Sequence, residues 1–262
     1  IRLRGLKCSP LWGVPGGYSE ISAPAAATSS YSQRLSRGNI RSTPPASMDT
    51  TGFPVARYSY SLGETTQRIA AGVFEAVQDF PLGVQFSSFY MPGAFVPHVR
   101  MMKTGYEDPE LACQFGLPYV ILHAPRPFDT TTPNYNWQIW ETKAFSLYTN
   151  SNGRVDQASA REAVESVLGF LAGQGLLRYH RYGGFLSRIV ESEDMVSLRA
   201  KRAGFFESFV PPGQEMEPGV PLFRILDPYL GTEQSRQTAP EAGTVAFVRD
   251  EAMTYESTTV VK

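Results

Sequence analysis

A change of pattern at Gly175 constrains the fold of this 262-residue chain more than any other feature. Before it, residues 156–172 predict the best helix in the sequence. Val164, Val167, Leu168 and Leu171 recur at helical spacing, Ser159 and Glu162 form a capping-box pair, and Gly173 and Gly175 end the run. After it, residues 178–262 show no amphipathic helix. Short β-prone runs are separated by turn signals at Gly183-Gly184, Pro211-Pro212-Gly213, Pro218-Gly219, Asp227-Pro228 and Ala242-Gly243. Strands and helices alternate only upstream of Gly175. The pattern therefore predicts an α/β part with a largely parallel sheet, followed by an all-β module of about 80 residues.

Within the α/β part, Gly83–Phe89 reads as an alternating strand. Pro92-Gly93 and Pro97 read as breaks, so the stretch after that strand is expected to be a loop. Asp108-Pro109-Glu110 is a helix start with Asp as N-cap. Pro118–Leu122 and Ala144–Tyr148 are runs of strand length. A capping box at Ser61 and Glu64 opens a helical pattern through Ile69, Val73, Ala76 and Val77. Residues 1–51 are read as an irregular basic segment. The first 48 carry a net charge of +5 and are rich in Ser, Pro, Ala and Gly, whereas the remaining 214 carry −6. The chain opens at Ile1 without a signal-peptide pattern, which is read as a fragment of a cytoplasmic protein.

The overall balance of 24 basic and 25 acidic residues gives no electrostatic case for nucleic acid or an anionic membrane, and no apolar run reaches membrane-spanning length. A small-molecule ligand is the expected partner. Cys8 and Cys113 form neither a C-x-x-C pair nor a disulfide framework. The three histidines, His98, His123 and His180, are not followed by Glu at the third position. Sequence templates for zinc helices, phosphate loops and nucleophile elbows are all absent.

Two stretches retain chemical potential. In the first, residues 91–102, His98 is able to ligate a metal or move a proton, and Arg100 to fork onto a carboxylate. In the second, residues 137–148, Glu141 is the only acid and so the candidate general base, and Tyr148 a candidate oxyanion donor. Met101 and Met102 read as packing, His123 as an interior or rim histidine, and the Asp129–Thr132 segment as a turn. The plainer readings are a loop hydrogen bond for His98, a surface ion pair for Glu141 and a half-buried strand residue for Tyr148.

The ordered part resembles the succinylglutamate desuccinylase/aspartoacylase family of zinc-carboxypeptidase-like hydrolases. The residues that carry the resemblance are Ser61–Ala70, Pro97–Arg100, Glu110–Pro118 and Lys143–Tyr148. In the C-terminal module they are Arg199–Phe206, Val210–Gly219, Ile225–Pro228 and Ala239–Val245. The resemblance implies an α/β fold with a zinc-carboxypeptidase-like mixed sheet and flanking helices, incomplete here, followed by a small all-β domain. The implied boundaries are a partial catalytic domain at 52–177 and a barrel-sandwich-like β domain at 178–262.

It implies a zinc cofactor and hydrolysis of the linear amide of an N-acyl amino acid, with a glutamate taking the proton of the metal-bound water. The chain departs from the family pattern at each ligand. The H-x-x-E pair is absent, Ser87 stands where a strand should end in a zinc histidine, and Tyr148 stands where the family has its glutamate. The segment Met48–Pro54 lacks the family's substrate arginine. The expectation is therefore an N-terminally truncated or diverged member, with His98 as zinc ligand, Glu141 and Tyr148 as catalytic groups and Arg100 on the substrate carboxylate. The competing expectations are a non-catalytic binding or structural protein that keeps the fold without the metal site, and an interaction protein acting through its basic N-terminal arm.

Overall fold

Strand residues of the α/β part sort by parity, and that sorting builds the molecule. A computed structural model describes residues 77, 79–87, 91–126, 129, 132–151, 155–180 and 183–262. Its first sheet joins β1 (Leu82–Phe86), β3 (His98–Met102), β4 (Tyr119–His123), β5 (Lys143–Tyr148) and β6 (Arg188–Glu191) in the order β1-β5-β3-β4-β6. β1 runs parallel to β5, and β3, β4 and β6 run parallel to one another. The two groups meet in an antiparallel β5/β3 pair. The sheet is thus mixed, with mostly parallel pairings.

Side chains two apart on a strand share a face. One face presents Val84, Val99, Met101, Val120, Leu122, Phe145 and Leu147, and packs against Phe115, Val167, Phe170 and Leu171 as a dry core. Helices α1 (Pro109–Cys113) and α3 (Gln157–Gly173) cover this face. The opposite face carries Gln85, Ser146, Tyr148, His98, Arg100 and His123, and helix α2 (Pro133–Ile139) covers only part of it.

Helix α3 differs from its sequence reading in phase. Its cap is Asp156, whose carboxylate accepts the backbone N–H groups of Ala158 and Ser159, and Ser159 lies in the first turn with its hydroxyl on the same carboxylate. The buried stripe is Ala163, Ser166, Val167, Phe170 and Leu171, while Val164 is 52% exposed. The stacking of Phe170 on Phe115, with ring centroids 4.0 Å apart, sets that rotation. The predicted glycine stop holds. Gly175 takes φ +70°, and the N–H groups of Gly175 and Leu176 close on Ala172 and Leu171 as a Schellman turn.

Helix α2 lies in a stretch that the sequence pattern presents as a turn followed by a catalytic segment. Thr132 caps it and Pro133 occupies its first turn. Gln138, fully buried, exchanges two hydrogen bonds with the backbone of Met102, which fastens the helix to the end of β3. Trp137 packs on Ala144 and Val77, and fills the space above Gly83, where any Cβ would meet its ring at 2.7 Å. The predicted loop at residues 91–102 holds two strands. β3 follows Pro97 directly, and β2 (Gly93–Phe95) leaves the first sheet altogether. Of the predicted 61–77 helix only Val77 lies within the described residues, and residues 1–51 lie outside them.

Beyond β6 come β7 (Leu198–Arg199), β8 (Gly204–Ser208), β9 (Glu215–Met216), β10 (Pro221–Leu226), β11 (Glu233–Thr238), β12 (Gly243–Thr244), β13 (Phe247–Arg249), β14 (Met253–Thr254) and β15 (Thr259–Val261). They form sheets ordered β11-β10-β8-β14, β12-β9 and β2-β13-β15-β7. Their shared core includes Phe206, Leu222, Phe223, Ile225 and Val260. Two strands tie this part to the first: β6, from the stretch expected to be wholly β module, completes the α/β sheet, and β2 pairs with β13. The second exchange brings Ala246, Phe247 and Lys262 over the polar face of the first sheet.

Candidate functional site

The polar sheet face that α2 leaves uncovered lines a cavity of about 250 Å³. Its floor is set by strand register. Ser146 lies beside Arg100, Tyr148 beside His98, and Met102 beside His123. Three of the four residues singled out in the sequence, His98, Arg100 and Tyr148, therefore come together. Ser87, just past the end of β1, joins them.

Glu141 does not. It sits beyond the far end of β5, a strand about 17 Å long that carries Tyr148 at its other end, and its side chain is exposed. Its backbone explains its position: at φ 64° it is the left-handed residue that ends α2. The N–H groups of Glu141 and Thr142 close on Gln138 and Trp137.

His98 is buried and held on three sides. Its Nδ1–H donates to the Val96 carbonyl at 2.8 Å, its ring stacks on Tyr148 at 4.8 Å, and Phe95 meets it edge-on at 6.0 Å. Burial, reinforced by the Arg100 charge and opposed by the Val96 bond, brings its pKa down to about 4. At neutral pH the ring is therefore uncharged. His123, on β4, is likewise held below the ordinary imidazole range, chiefly by burial and by Arg100, while Asp129 at 3.7 Å pulls the other way.

The charges around the cavity are unbalanced. Arg100, Arg126 and Lys262 line it, with Asp129 the acid beside them. Asp129 is committed locally: it accepts the Arg126 backbone N–H at 2.8 Å and faces His123. Burial and the charges of Arg100, Arg126 and Arg199 push the Lys262 ammonium down to about 8, so the cations sense one another. Among the described residues neither Arg100 nor Arg126 is in a salt bridge. Four buried polar atoms at the cavity wall, Gln85 Oε1, Ser87 Oγ, His123 Nε2 and Asn134 Oδ1, have no hydrogen-bond partner among the described residues. Each such group costs about 1–3 kcal/mol when left unmet. Of these atoms only the Ser87 hydroxyl can donate to an anion, and the two amide oxygens and His123 Nε2 accept, so the cations suit a negatively charged occupant and the orphaned acceptors a polar one that carries a donor of its own.

Sequence reasoning misses Arg126 and Lys262, reads Asp129 only as part of a turn, which it is, and finds in His123 only an interior or rim histidine. Only long-range pairing brings these groups to Arg100, and no local spacing signals it.

Zinc is the cofactor implied by the resemblance, and the donor set does not fit it. Among the described residues no three His, Cys, Asp or Glu side chains are placed to hold one ion. His98 and His123 stand on the same face but about four residues apart along neighbouring strands, roughly 13 Å. A tetrahedral zinc needs its nitrogen ligands at about 2.0–2.1 Å. Cys113, half-buried on α1, belongs to the other face of the sheet.

No family model matches the chain, and no curated protein is detectably similar to it in sequence. Its fold is shared with solved structures. A succinylglutamate desuccinylase from Silicibacter sp. TM1040 superimposes with a TM-score of 0.62 at 19% identity, over 77% of this chain and 63% of that one. The ectoine utilization protein EutE (DoeB) from Ruegeria pomeroyi, in a product-bound structure, gives 0.63 at 18% identity, over 76% and 63%. A succinylglutamate desuccinylase/aspartoacylase from Rhodobacter sphaeroides gives 0.62 at 17%, over 76% and 63%. The resemblance read from the sequence is thus a likeness of fold, and this chain spans less than two-thirds of the length of each of these structures. Among the described residues no helix is long and apolar enough to cross a membrane.

Proposed function

We propose that this chain is a diverged relative of the succinylglutamate desuccinylase/aspartoacylase family that uses the fold to bind a small carboxylate-bearing molecule, without zinc chemistry at this cavity. One observation supports this most directly: Arg100, Arg126 and Lys262 converge on a cavity where Asp129, the one acid among the described lining residues, is already engaged. A guanidinium forks onto a carboxylate through two parallel N–H···O bonds, and Arg100 rises from the centre of the cavity floor to do so. Neutral His98 and the stacked Tyr148 form a flat wall beside it; the Ser87 hydroxyl is placed to donate to the ligand and the Gln85 amide oxygen to accept from a donor on it. In this reading Tyr148 and His98 shape and orient, Arg100 holds the ligand, and Glu141 terminates α2.

Within the same reading the chain comprises an α/β part that runs through β6 and a β part beyond it, clipped together by β2. The family's parent reaction, zinc-dependent hydrolysis of an N-acyl amino acid, would need ligands that the described residues do not assemble.

The test is a thermal-shift panel on the purified chain: dicarboxylates and N-acyl amino acids against analogues in which each carboxylate is a carboxamide. A carboxylate ligand at a hundred times its Kd adds about 2.7 kcal/mol of stability. For a chain of this size that is a rise in Tm of about 5–10 °C. The amides should leave Tm unchanged. Equal shifts from acids and amides, or no shift from any acid, would contradict the reading.

A further inference from the structure

A second cavity, about 330 Å³, adjoins the first, and Val96, Ile121, Met195, Ala246 and Lys262 line both. The two differ in character. Along one row of the sheet, register places Gln85, Ser146, Arg100, Ile121 and Val190 side by side on β1, β5, β3, β4 and β6. The row passes from polar through cationic to apolar. From Arg100 to Val190 is two strand spacings, about 10 Å. The far cavity is walled by Val190, Val196, Leu198, Met216 and Leu222, with Asp194 and Glu241 among its charged residues beside Arg188.

We infer that the ligand is amphiphilic: a carboxylate head on Arg100 with an unbranched apolar tail that crosses Ile121 into the second cavity. The inference rests on the carboxylate reading and names the class of molecule. Charge fixes the orientation. Among the described residues cations outnumber acids around the first cavity, whereas in the second Asp194 and Glu241 balance Arg188 and Lys262, so an anion is drawn to the first. Apolar area fixes the tail. Val190 is only half-buried and Val196 is 44% exposed, and an alkyl chain lying on them removes that surface from water. Each methylene buried adds about fourfold in affinity.

The experiment is calorimetric titration of the full chain with butyrate and octanoate. Octanoate is expected to bind at least tenfold more tightly than butyrate. Val196→Gln, on the groove and outside the first cavity, adds no charge and is expected to erase that advantage while leaving butyrate unchanged. Val190→Gln, on the edge strand β6, serves as a second variant if Val196→Gln fails to fold. Butyrate and octanoate binding equally, or an octanoate advantage that survives both variants, would overturn the tail assignment and leave the carboxylate site standing. If neither acid binds, the carboxylate reading falls, and the tail assignment with it.

Discussion

Phe170→Ala is expected to destabilise the chain by about 3–5 kcal/mol, the upper end of the range for truncating one buried side chain. Phe170 is fully buried on α3, stacked on Phe115 at 4.0 Å and edge-on to Phe145 at 5.6 Å. Those three rings join α3, the segment after α1 and β5 at one point. Truncation leaves a hole among aromatic neighbours that are themselves fully buried and packed, so collapse fills little of it. Urea unfolding monitored by circular dichroism reads the change as a lower midpoint at constant slope. Phe170→Leu, which keeps most of the volume, should cost less than half as much. A loss below about 1 kcal/mol for Phe170→Ala would mean that α3 is not seated as described.

Acid should weaken the fold well above the carboxylate range. His98 titrates near 6.5 when unfolded and at about 4 when folded, because burial and Arg100 disfavour its charged form. Between those values the unfolded state binds the extra proton, so stability falls as pH drops from about 6.5 towards 4 and is fully present above 6.5. The shift corresponds to about 3 kcal/mol at its limit. His123, also held low, acts in the same direction. His98→Gln removes the titration yet retains a donor for the Val96 carbonyl, and should flatten the pH dependence. The check is a series of urea denaturations from pH 7.5 to 4.5 on both proteins. Parallel curves for the two, or a flat curve for the parent, would contradict the burial of an uncharged His98.

Much of the α/β part is legible in the sequence because its residues report local rules. The runs at 118–122 and 144–148 are strands to within a residue, Asp108 caps α1 and Gly175 stops α3. Sequence and structure part where one rule hides another. Pro92-Gly93 and Pro97 are loop signals on their own, but Pro97 stands just outside β3 and removes no ladder hydrogen bond from it. Thr132-Pro133 carries the same cap-and-proline signature as Asp108-Pro109, and the threonine run before it masks α2 as a turn. In α3 both Ser159 and Asp156 suit an N-cap, and only the packing of Phe170 decides the phase.

The site divides the same way. His98, Arg100 and Tyr148 are visible because each sits in a strand next to chemistry-bearing neighbours. Glu141 is the acid nearest to Tyr148 in sequence, yet its left-handed backbone serves a helix end. The partners that define the charge of the cavity come from a loop after β4 and from a C-terminal residue brought over by β2/β13 pairing. That pairing joins residues more than a hundred positions apart, Phe95 with Phe247 among them.

The most direct test is the affinity of a small dicarboxylate for the parent chain and for Arg100→Gln, measured by calorimetry at low and at physiological salt. Loss of a charge-assisted fork costs about 1.5–3 kcal/mol, so Arg100→Gln should bind roughly tenfold to a hundredfold more weakly, and the parent's affinity should fall as salt rises. Equal affinity of the two proteins for the dicarboxylate would contradict an anion site built on Arg100.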